Sequence, residues 1–175
     1  MTVCIFTPEV PNSLQSPGAA IIAIAGAQAH TGDYDTALQT LAHLQLPGLV
    51  GTGRSTIARA AAHNGVFETA LEIAATIESG NALSFTYAVI AREQVIDANA
   101  AAAEITIDLI SHPLRQSAIL TDIARLHAGQ GNMERAFHNA ERIAYPGLRS
   151  WTFAAIAIRQ QSRGDTAVSY THLRA

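Results

Sequence analysis

Lysine is missing from these 175 residues, and all eleven basic side chains are arginine. That bias reflects a GC-rich coding sequence and by itself implies no activity. The single cysteine, Cys4, excludes an intramolecular disulfide and any site built from several thiolates. Aromatic residues supply only 6 % of positions while alanine supplies 34 of them, which argues against a β fold and for helices packed through small side chains. No apolar run is long enough for a bilayer: Gly18 to Ala29 covers twelve residues where about 20 are needed, and no basic segment precedes it. A net charge of -3 offers no global attraction to nucleic acid or an anionic membrane. A reducing, cytoplasmic compartment is the default expectation, with a periplasmic or exported location left open.

Chemical signatures are also missing. There is no Gly-rich phosphate loop after a strand, no His-Glu-x-x-His helix and no Cys-x-x-Cys pair. His30 and His63 fall at equivalent points of the repeat described below, about 10 Å apart by helix packing, too far to share a metal. Glu68, Glu72, Glu78 and Glu104 read as a solvated helix face. No catalysis, metal or cofactor is expected.

What is present is a period. Ile-Ala recurs at Ile24-Ala25, Ile57-Ala58, Ile90-Ala91, Ile123-Ala124 and Ile156-Ala157, each pair 33 residues after the last. Eight residues beyond each isoleucine stand Gly32, Gly65, Ala98, Gly131 and Gly164, small residues suited to the end of a helix. Ala37, Ala70, Ala103 and Ala136 follow, then Leu44, Ile77, Ile110 and Ile143, the expected apolar stripe of a second helix. Pro47, Gly80, Pro113 and Pro146 then break the chain. Each unit should hold two helices of roughly twelve residues, too short to be stable without stacking.

The order of large apolar residue, small residue, turn glycine and early alanine resembles the tetratricopeptide (TPR) family, most closely from Ile24-Ala25 through Gly32-Asp33-Tyr34-Asp35-Thr36-Ala37-Leu38. Related helical repeats share this skeleton. The aromatic usual early in the first helix is Ile21, Arg54, Tyr87, Leu120 and Phe153 here, and the period is one residue short. The resemblance implies an all-α fold, a right-handed α-solenoid of about four and a half units. These span about 18–50, 51–83, 84–116 and 117–149, with a half unit at 150–165. Residues 1–17 carry three prolines and are expected to be an irregular arm. Val168 to Ala175 resembles the translated read-through of a transposase-type sequencing adapter, so 166–175 is expected to be a non-native tail and the natural protein to continue. Without a following helix, Trp151, Phe153, Ile156 and Ile158 should show apolar edges and favour self-association.

Two residues past each key isoleucine lie Gly26, Arg59, Arg92, Arg125 and Ile158, so three consecutive units carry arginine at one position. Three stacked guanidiniums repel by only about 0.4 kcal/mol per neighbouring pair at 10 Å in water, and a ligand carboxylate would offset that through bidentate hydrogen bonds. The TPR resemblance implies that this position faces a concave groove, whose walls would include Ser55, Phe85, Thr121 and Trp151. The leading expectation is a non-enzymatic scaffold binding an acidic or carboxylate-bearing peptide or helix through Arg59, Arg92 and Arg125. Pairing of each arginine with a carboxylate of the stack, such as Asp97 or Asp122, is the plainer alternative for those side chains. For the whole chain the alternatives are a structural or oligomerisation module of a longer protein and a helical domain of an enzyme. Nucleic acid is not expected as a partner.

Overall fold

The structure, a computed structural model, describes residues 16–44 and 46–162. Of the expected N-terminal arm only Ser16 and Pro17 are among them, and these cap and open the first helix; Cys4, Gly164 and the tail 166–175 lie outside the described residues. All regular structure within them is helical: α1 (Pro17–His30), α2 (Tyr34–Leu41), α3 (Pro47–His63), α4 (Phe67–Ala75), α5 (Gly80–Ile96), α6 (Ala100–Ile107), α7 (Pro113–Gln130), α8 (Met133–Glu141) and α9 (Pro146–Ser162).

Long and short helices alternate, and this corrects the expectation of equal ones. The odd-numbered helices run 14 to 18 residues and the even-numbered ones 8 or 9. Prolines mark every long-helix start except that of α5, which reaches 17 residues from Gly80. Pro47, Pro113 and Pro146 stand at the first turn of α3, α7 and α9, where a missing N–H costs nothing and the fixed φ suits a helix. They start long helices as well as ending what precedes them. The second helices correspondingly stop early, so Leu44, Ile77, Ile110 and Ile143 lie in the segments after them and not on a helical stripe. Ile77, Ile110 and Ile143 are still buried there.

Each long helix packs on its own short helix and on the next long helix, and each short helix packs on the long helix that follows. No Cα atom of a short helix comes within 8 Å of the next short helix among the described residues, although α6 and α8 meet through the side chains of Glu104, Arg135 and Asn139. Ile57, Ile90, Ile123 and Ile156 and their neighbours Ala25, Ala58, Ala91 and Ala124 are wholly buried in this packing. Ile24 is the exception at 54 % exposure, since no described helix precedes α1 to cover it. Ile156, expected at an apolar edge, is instead buried against α7 and α8, and Phe153 stacks on Phe137 with centroids 6.0 Å apart.

The turns repeat bond for bond. Gly32, Ala98, Gly65 and Gly131 all have positive φ, and the residue after each donates its N–H five residues back: Asp33 to Gln28, Val66 to Ala61, Asn99 to Gln94 and Asn132 to His127, at 2.8–3.0 Å. Those same residues begin the short helices. Asp33, Asn99 and Asn132 accept from the N–H three residues on, closing α2, α6 and α8, whereas Val66 offers α4 no such cap. Two positions thus depart from the local pattern, Ala98 (φ 58) and Val66. Ala98→Gly relieves the left-handed strain and Val66→Asn restores the cap; each is expected to raise stability by about 1 kcal/mol, read as an increased midpoint in urea unfolding. Gly131→Ala should lower it.

Candidate functional site

The three arginines of the ladder are all exposed, on α3, α5 and α7, but each meets a different neighbour. The Arg59 guanidinium lies 5.4 Å from the centre of the Phe85 ring, which Arg115 approaches to 5.6 Å; Arg125 lies 5.5 Å from the centre of the Trp151 ring. Such contacts contribute about 0.5–1 kcal/mol at exposed sites and hold the side chains along the stack. At the corresponding place opposite Arg92 stands Ala118 with no ring to offer, and Arg92 Nη2 instead pairs with Asp122 Oδ2 at 3.5 Å. Asp122 is one of the two carboxylates offered as partners for the ladder. Asp97 forms no ion pair with any of the three.

Ser55 and Thr121 do not line an exposed wall. Both are buried between long helices, Ser55 Oγ sharing a hydrogen bond of 2.8 Å with Thr86 Oγ1 and Thr121 Oγ1 one of 3.1 Å with Thr152 Oγ1. Phe85 and Trp151 are exposed, at 40 % and 52 %. These residues show a second, doubled period. Ser55 and Thr121, Phe85 and Trp151, and Thr86 and Thr152 are each 66 residues apart, so the α3–α5 and α7–α9 seams share a hydroxyl pair and a ladder arginine against a ring, whereas the arginine on a ring at the α5–α7 seam is Arg115, outside the ladder.

Arg92 and Arg125 come together with Arg159 of α9 in an open groove of about 570 Å³. Its apolar lining is Val95, Ile96, Leu126, Ala155 and Ile158, and Asp122 is its one acidic residue. No described carboxylate pairs with Arg125 or Arg159. Arg59 lies outside this groove. Arg159 escaped the repeat reading because it sits one position off the ladder, at the third residue past Ile156.

The groove belongs to a wider separation of charge. Among the described residues the long helices carry Arg54, Arg59, Arg92, Arg115, Arg125, Arg149 and Arg159 against Glu93 and Asp122, a formal +5. The short helices and connecting segments carry Arg135 and Arg142 against ten acidic residues, a formal -8. A nearly neutral chain is therefore basic on one layer and acidic on the other.

Glu104, assigned by sequence to a solvated face, is instead part of a partly buried network. Its Oε1 accepts from His127 Nε2 at 3.0 Å and Asn139 Nδ2 at 2.8 Å, and Arg135 lies 3.7 Å from Oε2. His127 Nδ1 and Asn139 Oδ1 are buried without a partner among the described residues. Burial pushes the Glu104 carboxyl up, but the Asn139 and His127 hydrogen bonds and the charges of His127 and Arg135 outweigh it and hold it below its ordinary value of 4.5. The stabilisation is therefore present above that value and lost as pH falls through the lowered one. Glu104→Gln should be the less stable protein at neutral pH, and its deficit in melting temperature should shrink below pH 4.5. A deficit constant with pH would remove the carboxylate from this role.

His30 Nδ1 meets the Gly26 carbonyl at 2.8 Å and His63 Nδ1 lies 3.8 Å from Glu93, so neither shares a ligand with the other. No group of three or more His, Cys, Asp or Glu among the described residues could hold a metal ion, and no described helix is long and apolar enough to cross a membrane. No family model, curated protein or solved structure gives a significant match to the chain.

Proposed function

We propose that the chain is a right-handed, TPR-like α-solenoid that acts as a non-enzymatic interaction scaffold, binding an acidic peptide or helix across its long-helix face. The backbones of successive long helices approach one another closely while those of successive short helices stay further apart, which supports a curved stack with the long helices on the inner side. The observation that carries the binding reading is the groove over α5, α7 and α9. There three guanidiniums face one carboxylate, beside isoleucines left 66 % exposed at 96 and 158. Guanidiniums recognise carboxylates through paired, charge-assisted hydrogen bonds, and the aliphatic lining supplies contact area for an adjacent apolar side chain. Arg59 with Phe85, and Arg125 with Trp151, extend the same face.

The test is a selection from a random displayed peptide library on the immobilised full chain. Enriched sequences should combine aspartate or glutamate with aliphatic residues, and R92A/R125A/R159A should fail to retain them. Enrichment of uncharged or basic peptides, or retention by the triple variant, would overturn the proposal.

A further inference from the structure

The three most exposed large aliphatic side chains among the described residues are Ile105 at 73 %, Ile96 at 66 % and Ile158 at 66 %. Ile96 and Ile158 line the basic groove. Ile105 lies on α6, in the acidic layer, and two exposed residues follow it closely, Asp108 at the C-cap of α6 and Leu109 in the turn after it. One layer therefore presents aliphatic groups beside unpaired guanidiniums, and the other presents aliphatic groups beside a carboxylate. Asp108 Oδ1 already accepts from Arg142 of its own chain, but the side chain is 66 % exposed and a carboxylate has acceptor positions to spare.

We propose that the groove over α5, α7 and α9 receives the Ile105–Asp108–Leu109 face of a second copy of this chain. Asp108 meets Arg125 and Arg159, and Ile105 covers Ile96 and Ile158. The two faces are different surfaces, so the contact is heterologous and propagates from copy to copy unless the rotation closes a ring. The groove is the one assigned above to a peptide, and self-docking would occlude it. The inference nevertheless stands or falls without any peptide being bound.

Sedimentation velocity of the full chain, over a range of protein and salt concentrations, reads this directly. Wild type should associate with rising concentration, and less so at high salt. I105D and I158D each remove one face at an exposed position, and each should weaken association by about tenfold or more, as an unpaired charge in an apolar contact does. Mixed together they should form a discrete one-to-one dimer, since each supplies the face that the other has lost. Circular dichroism melts of both variants should match wild type. A monomeric wild type at low salt, association untouched by either substitution, or two dissociated variants that fail to pair on mixing would each overturn the proposal. Peptide binding in the presence of any of these results would leave the scaffold reading intact, and its absence beside a confirmed self-contact would remove that reading alone.

Discussion

Ala91→Asp is expected to leave the chain without a cooperative thermal transition. Ala91 is wholly buried in α5, and that helix packs against α3, α4, α6 and α7, so a carboxylate there has no route to solvent. An unpaired buried charge costs several kcal/mol even after relaxation, against a total stability of about 5–15 kcal/mol for a domain. The wholly buried Ala58 should respond in the same way. Ala157, the equivalent residue of α9, is only half-buried, and Ala157→Asp should melt cooperatively at a reduced temperature. Far-UV circular dichroism melts of the variants decide it; a cooperative A91D transition within a few degrees of wild type would show that the seam tolerates a charge.

The second large effect separates position from residue type. Ile90 and Ile24 are the same letter of the repeat, yet Ile90 is fully buried and Ile24 is 54 % exposed. Ile90→Ala removes buried methyl groups and leaves a cavity, and should cost about 2–5 kcal/mol. Ile24→Ala should cost no more than about 0.5 kcal/mol, the range of surface substitutions. Urea midpoints give both values, and equal losses would contradict the burial of the seam.

The features legible in the sequence were those that a 33-residue step repeats with the same backbone requirement. Gly32, Gly65 and Gly131 are needed for positive φ at one turn, and the alanines beside the key isoleucines admit close helix contact. Helix lengths were harder to read, because proline marks both the end of one segment and the first turn of the next, and only the backbone bonds around Pro113 or Pro146 tell which. Ser55 and Thr121 looked like groove residues because a hydroxyl suits both a wet wall and a buried pair; their partners, Thr86 and Thr152, are 31 residues away and out of register with the period. Glu104 could not be told from its solvated neighbours until His127 and Asn139 were brought beside it.

The ladder was visible as a column of arginines, but its environment was not. Arg92 meets Asp122 where Arg59 and Arg125 meet rings, and Arg159 joins the groove from outside the register. Net charge was the most misleading summary. A value of -3 conceals a basic layer of long helices over an acidic layer of short ones, because the sum is blind to which helix carries each charge.

The most direct measurement is an anisotropy titration of one labelled peptide, alternating aspartate and leucine, with wild type and with R92A/R125A/R159A at low salt. Wild type should bind, less tightly as salt is added, and the triple variant should lose about tenfold or more in affinity, with both proteins melting alike. Equal affinity for the two proteins would show that the three guanidiniums of the groove do not hold the peptide.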